Sequence, residues 1–187
     1  MSRIKIIKYE EATDRLKEIY DDLICKRGKL AEVHCIQSLR PESIVKHIDL
    51  YMEIMFTRSE LSRAEREMMA VVVSAGNKCK YCQIHHAEAL NHYWKNEKRV
   101  EQLRNDYKQA ELTNRELQLC EFSHILTINP ELSKKEDITE PLKKSGISDS
   151  GILDATLVVA YFNFVNRIVI ALDVEIENNS ETKGYKY

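Results

Sequence analysis

The sequence predicts an all-α protein, a compact helical bundle whose central antiparallel helix pair carries a Cys-x-x-Cys site. Three observations lead there. Only five Gly and three Pro occur in 187 residues, too few for the closely spaced turns of a sheet protein. Charged residues make up 31% of the chain, and the apolar ones between them recur at helical spacing. Two segments, at Ser62 and Thr113, open with the Ser/Thr-x-x-Glu pattern in which side chains close a helix N-terminus. This length suits one domain over residues 1–177, followed by a polar tail from Asn178 to Tyr187.

The elements follow in order. Ala12, Leu16, Ile19, Tyr20 and Leu23 share one face of a first helix, expected from Glu11 to Cys25 and ended by Arg27-Gly28. A short apolar segment from Val33 to Leu39 stops at Pro41, which suits the first turn of a helix carrying Ile44, Ile48, Tyr51, Met52 and Met55. That stripe reads as core packing. After the Ser62-Arg63-Ala64-Glu65 box, Met68, Met69, Val71, Val72 and Val73 mark a central, buried helix, which Gly76-Asn77 interrupts. The chain restarts at Cys79, with Tyr81, Ile84, Ala87, Leu90 and Tyr93 on a new helical face. A charged helix from Asn96 to Tyr107 is expected to face solvent, and Thr113 opens one that runs toward Pro130. Thr139 to Ser145 forms a short helix ended by Gly146, and Ser148 caps the last, expected to reach Ile176.

Composition excludes some classes of function. Net charge is −2, and basic residues are interspersed with acidic ones, so there is no footprint for nucleic acid. Lysines interrupt the start of the chain, which therefore lacks the apolar core of a signal peptide, and a cytoplasmic location is the expectation. The run from Ile152 to Leu172 holds Asp154, Asn163, Asn166 and Arg167; a charge at mid-bilayer depth costs roughly 3 kcal/mol, so it reads as a buried helix and no membrane partner is expected. Being apolar on nearly every side, it needs cover on every side, which points to a homo-oligomer.

Five cysteines, an odd number, argue against a structural disulfide framework. Cys25, Cys35 and Cys120 stand alone in sequence and read as small hydrophobes. Cys79 and Cys82 differ. On one helix Cys79, Cys82 and His86 project within roughly 60° of one another. A helix N-terminus, an imidazole and the Lys80 cation each favour the thiolate. Glu67, twelve positions before Cys79, meets this cluster if the two helices joined at Gly76-Asn77 pack antiparallel. Its carboxylate would then fix the tautomer of His86 and raise its basicity, a route for the thiol proton. His85 follows Cys82 by three residues and is a further candidate. On the generic Cys-x-x-Cys reading, nearness to the helix N-terminus would make Cys79 the attacking thiol, and the sequence leaves open which of the two attacks.

The ordered set Glu67, Cys79, Cys82 and His86, within Ser62-Arg63-Ala64-Glu65-Arg66-Glu67 and Ser74-Ala75-Gly76-Asn77-Lys78-Cys79-Lys80-Tyr81-Cys82-Gln83-Ile84-His85-His86, resembles the alkylhydroperoxidase D-like, peroxidase-related branch of the carboxymuconolactone decarboxylase family. The match is specific from Met52 to Tyr93, and Tyr161 to Arg167 is also similar. The resemblance implies an all-α oligomer that reduces organic hydroperoxides with a redox-active Cys-x-x-Cys pair and calls for no bound cofactor or metal. It implies Cys82 as the attacking thiol, Cys79 as the resolving one, Glu67 and His86 as the proton relay, and a dithiol reductant protein or lipoyl-type adaptor as partner. It departs from the pattern at Tyr81, where the best-studied type has histidine; His85 is the candidate substitute.

The same residues admit two other readings. Cys79, Cys82, His86 and either His85 or Glu67 supply four zinc ligands, although no second knuckle occurs. A redox sensor would keep the thiols with little turnover. Decarboxylation of a muconolactone ranks last, since that branch is not organised around a Cys-x-x-Cys pair.

Overall fold

The protein is described here over residues 2–177 by a computed structural model. Every regular element among these residues is helical: α1 (Asp14–Arg27), α2 (Glu32–Cys35), α3 (Pro41–Phe56), α4 (Arg63–Gly76), α5 (Lys80–Trp94), α6 (Glu97–Asn105), α7 (Asn114–Ile128), α8 (Glu140–Lys144) and α9 (Asp149–Leu172). The expected tail from Asn178 onward lies outside the described residues. The chain divides into two compact units, one holding the residues up to Met52 together with those from Ile168, the other Glu53–Arg167.

In the first unit Leu16, Ile19, Tyr20 and Leu23 of α1 bury their shared face with Cys35 and Ile44. Tyr20 satisfies its hydroxyl by donating to the Ile7 carbonyl at 2.9 Å, and the Ile7 amide donates to Ser38 Oγ at 2.9 Å. The helix begins at Asp14, three residues later than expected, because Tyr9–Glu11 forms a separate 3₁₀ turn. It ends as predicted: Gly28 takes φ +84°, a left-handed conformation cheap only without a Cβ, and its amide closes on the Ile24 carbonyl. At the other end of the unit α9 stops at Leu172, short of Ile176. Asp173 adopts φ +54° and Val174 N–H donates to Val169 O at 3.1 Å, the six-residue closure that terminates a helix, while Arg3 donates to the carbonyls of Ile170 and Ala171.

In the second unit α4 is the axis. Met68, Met69, Ala70, Val71 and Val73 have no solvent exposure, each larger one contributing about 1.5–3 kcal/mol by burial. The predicted capping box starts it: Ser62 Oγ accepts from the Glu65 amide at 3.2 Å and Glu65 Oε2 accepts from the Ser62 amide at 2.7 Å. Helices α5, α6 and α7 pack around it. The helix α6 is not wholly solvent-facing, since Val100 and Leu103, three apart, bury a narrow apolar edge. Thr113 and Glu116 form the second box, at the start of α7. Ser148 acts at α9, its Oγ accepting from the Gly151 amide at 3.3 Å.

Among the described residues α9 is the one helix long and apolar enough to cross a membrane, with a mean hydropathy of 1.7 over its most apolar window. Two of its polar residues are engaged by protein groups. Asn163 donates to Thr127 Oγ1 of α7 at 3.1 Å, and Asn166, with no solvent exposure, accepts from Asn77 at 3.0 Å.

Candidate active site

A three-residue turn, Asn77 to Cys79, reverses the chain between α4 and α5 and sets the two helices side by side. Lys78, at φ +58°, takes the left-handed position, and its amide donates to Ala75 O while the Cys79 amide donates to Ser74 O at 2.9 Å. Gly76 is thus the last helical residue rather than the break. Its small size has another cause, since a Cβ there would come within 3.3 Å of Ile128 Cδ1 on α7. The helix α5 then starts with Cys79 as its N-cap residue, which places that sulfur at the positive end of the helix dipole.

The antiparallel packing brings Glu67, nine residues before Gly76, to His86, six residues after Lys80. Glu67 Oε2 lies 2.6 Å from His86 Nδ1, and Glu67 Oε1 accepts from the Arg63 guanidinium at 2.5 Å. The carboxylate has no solvent exposure. Burial alone would raise its pKa, yet the charges and hydrogen bonds of His86 and Arg63 outweigh that and hold it below the usual carboxylate range. An ionised carboxylate only accepts, so Nδ1 of His86 carries its proton and Nε2 is left as the basic nitrogen. The ring is fixed further by the edge of Phe162 at 4.5 Å between centroids. Arg63 lies over the Phe56 ring at 3.7 Å and also donates to Met55 O.

Cys79 and Cys82 are buried free thiols, hydrogen-bonded to each other. The Cys82 thiol and backbone N–H donate to the Cys79 sulfur, which lowers the Cys79 pKa against the opposing effect of burial. Cys82, as donor to a neighbouring thiolate and as a buried group, is pushed well up, with the Asn166 side chain opposing. The two thiols titrate as a pair, and the hydrogen bonds from Cys82 favour negative charge on Cys79 over Cys82. Lys80, exposed at the first residue of α5, is not a cause of this shift. Behind the pair, Asn77 Nδ2 donates to Asn163 and Asn166, and Asn166 Nδ2 reaches Ser74 Oγ at 3.3 Å.

Of the residues singled out from sequence, Glu67 and His86 meet, and Cys79 and Cys82 meet. His85 is mostly buried and packs at a tilt against Tyr81, one turn earlier, at 4.4 Å between ring centroids. Two participants were not picked out: Arg63, whose position four residues before Glu67 was the available signal, and Asn166, 84 residues beyond Cys82 with no local signal. Cys35 and Cys120 are buried and their thiols raised, Cys35 to about 12, whereas Cys25 is exposed. No group of three or more His, Cys, Asp or Glu side chains is gathered to hold a metal ion among the described residues.

The carboxymuconolactone decarboxylase family profile matches residues 44–121, a span containing Glu67, both thiols and His86. An uncharacterized peroxidase-related protein from Silicibacter sp. TM1040 is 26% identical, with a TM-score of 0.82 over 100% of both chains. A protein from Ralstonia eutropha JMP134, described as an alkylhydroperoxidase AhpD core, is 22% identical, with a TM-score of 0.84 over 95% of this chain and 93% of that one. Residues 44–121 match the carboxymuconolactone decarboxylase family, and the fold is that of the alkylhydroperoxidase D-like proteins.

The alkylhydroperoxidase D-like fold is shared more widely. The debrominase Bmp8 superposes with a TM-score of 0.77 at 17% identity, over 94% of this chain and 92% of its own. The family's structural neighbours thus include enzymes, and one fold hosts more than one chemistry. No curated protein sequence gives a significant match to the chain.

Proposed function

We propose that this protein is a thiol-dependent peroxidase that reduces organic hydroperoxides through a Cys79/Cys82 dithiol–disulfide cycle. The observation that carries the reading is the buried Glu67–His86 pair, whose imidazole stands one turn along α5 from Cys82, itself hydrogen-bonded to Cys79. A solvated histidine and two inert buried thiols would not need a buried carboxylate beside them.

In the first step the charge-bearing Cys79 sulfur attacks a peroxide oxygen and the O–O bond breaks. Cys79 becomes a sulfenic acid, and the departing alkoxide takes a proton from the His86 imidazolium, which had received it from the thiol pair. Glu67 holds that imidazolium by charge and hydrogen bond. The Cys82 thiol then condenses with the sulfenic acid, forming the disulfide and releasing water. An external dithiol, from a reductant protein or a lipoyl-type adaptor, exchanges with the disulfide and leaves oxidised. This order of attack is opposite to the one the resemblance implies; the hydrogen bonds from Cys82 that lower the Cys79 pKa support it.

Two serine variants test both points. With a dithiol reductant present, steady-state hydroperoxide consumption is expected for the native protein and is lost in both variants. Cys82→Ser keeps a hydroxyl to donate to Cys79 and should accumulate a trapped sulfenic acid; Cys79→Ser should not. The reverse trapping pattern would assign attack to Cys82. Absence of turnover across several hydroperoxides would favour a sensor, and stoichiometric zinc with unreactive thiols would favour a metal site.

A further inference from the structure

On the side of α4 away from Glu67, the second unit contains a recess of about 210 Å³. Val72 and Gly76 line it, and at 100° per residue they project roughly 140° and 180° from Glu67. The floor is apolar, made by Val72, Ala75 and Gly76 of α4 and Leu103 of α6. Three side chains that can donate hydrogen bonds stand around it: Arg104 and Asn105 at the end of α6, and His124 of α7. None of the three is bonded to a protein acceptor among the described residues; His124 has only a ring contact, with Tyr107 at 5.5 Å between centroids. Arg104 differs in this from comparable arginines. Five arginines among the described residues have a buried Nε without an acceptor. Arg27, Arg63, Arg66 and Arg99 each engage a terminal nitrogen, on the Met52 sulfur, on Glu67, on the Ile54 and Thr57 carbonyls and on Glu116, whereas Arg104 does not.

We propose that this recess binds a small organic monocarboxylate, its oxygens held by Arg104, Asn105 and His124 and its apolar body resting on the floor. A buried donor without an acceptor carries its full desolvation cost, so the arrangement calls for an acceptor from outside the chain. The acceptors already in the lining are occupied. Asp106 accepts from the Lys108 amide at 3.0 Å and from Gln109 Nε2 at 3.2 Å, one bond to each carboxylate oxygen, and the Tyr107 hydroxyl donates to Glu121. A guanidinium presents paired N–H groups in the geometry a carboxylate accepts, which makes that group the natural counterpart of Arg104. The volume sets the size of the remainder. It falls below the roughly 300–1,000 Å³ of sites for drug-sized ligands and suits one ring or a short chain. Inorganic phosphate would meet the donors and leave the apolar floor uncovered. The site lies across α4 from Glu67 and His86, and binding there goes beyond the peroxidase reading and does not rest on it.

The test is a titration of the reduced full-length chain with benzoate, followed by calorimetry and by the backbone amide resonances of Gly76, Leu103 and Asn105. Saturable binding is expected with a dissociation constant on the order of 1 mM, together with shifts at those three amides. Benzamide, which keeps the ring and loses the charge, should bind at least about 10-fold more weakly. Arg104→Gln should weaken benzoate binding about 10- to 100-fold, the loss expected for hydrogen bonds to a charged group. Ala75→Leu, which fills the floor and leaves the donors in place, serves as the second variant and should weaken it at least about 10-fold. Far-ultraviolet circular dichroism checks that each variant remains helical. Neither variant alters the thiols, Glu67 or His86, so the result stands whether or not the protein consumes hydroperoxides. No saturable binding at about ten times the expected concentration, equal binding of benzoate and benzamide, native affinity in either variant, or shifts confined to other amides would overturn the proposal. So would inorganic phosphate binding as tightly as benzoate, which would leave the apolar floor without a role.

Discussion

His86 Nδ1 lies 2.6 Å from Oε2 of Glu67, a carboxylate that no solvent reaches. Two helices joined by a three-residue turn bring the pair together, and Arg63 supplies the second charge that keeps Glu67 ionised at this depth. The arrangement is demanding, because a buried charge is tolerated only when its partners are all in place.

Removing a partner should therefore be costly. Glu67→Ala leaves the Arg63 guanidinium facing an empty, buried position, and a loss of about 3–5 kcal/mol is expected in denaturant unfolding. Glu67→Gln, which keeps the shape and one acceptor, should lose less. Equal stability of Glu67→Ala and the native protein would mean that the pair contributes nothing to the fold.

The same pair sets a pH dependence. Glu67 has a folded pKa below its unfolded value, so its contribution is present above the unfolded carboxylate pKa of about 4.3 and is lost as pH falls through the folded value. Acid unfolding below about pH 4 should be less steep in Glu67→Gln than in the native chain. Identical slopes would show that Glu67 does not titrate differently in the folded state.

A second acid-sensitive element lies in the first unit. His47 is buried, with its Nδ1 2.7 Å from Gln37 Nε2, and burial lowers its pKa to about 4. Since Nε2 of Gln37 donates, Nδ1 must accept, and protonating it would set donor against donor. The stability tied to His47 is full above pH 6.5 and declines between pH 6.5 and about 4, by about 3 kcal/mol at most. His34, its ring 5.6 Å away, is lowered to about 3 by burial, then by His47 and Arg27, and acts in the same direction. Urea midpoints measured across that range should be flatter for His47→Gln.

Asn166 links the thiols to α9. It is fully buried, bonded to Asn77 and Ser74, and opposes the rise of the Cys82 pKa. Asn166→Ala leaves the Asn77 amide and the Ser74 hydroxyl without this partner and should cost about 1–3 kcal/mol. It should also shift thiolate formation, followed by ultraviolet absorbance, to higher pH. A variant with unaltered thiol titration would separate Asn166 from the chemistry and leave it a structural residue.

Much of the site was readable because its signals are local. Ser62 and Thr113 announced their helices through residues three positions away, and Cys79, Cys82 and His86 lie at the N-cap and within the first two turns of α5. Glu67 needed only the assumption that a short turn makes neighbouring helices antiparallel. Features set by the fold at long range were not readable. Nothing near Asn166 indicates that it faces Cys82, and the burial of Arg63 depends on Phe56 and the Met55 carbonyl in a different helix. The turn itself was misplaced by one element of detail: Gly76 suggested the break, but Lys78 takes the left-handed conformation and Gly76 makes room for Ile128. The edge of α6 was missed because two buried residues in nine, Val100 and Leu103, leave a weak periodic signal.

The most direct measurement is a single turnover: reduced protein is mixed with an organic hydroperoxide and the loss of thiols is followed in time, in the native chain and in Glu67→Gln. If Glu67 and His86 activate the Cys79/Cys82 pair, the native protein loses both thiols to a disulfide, and the folded variant does so about 10²–10⁴ times more slowly. Thiols that survive the hydroperoxide in the native protein, or a variant that reacts at the native rate, would contradict it.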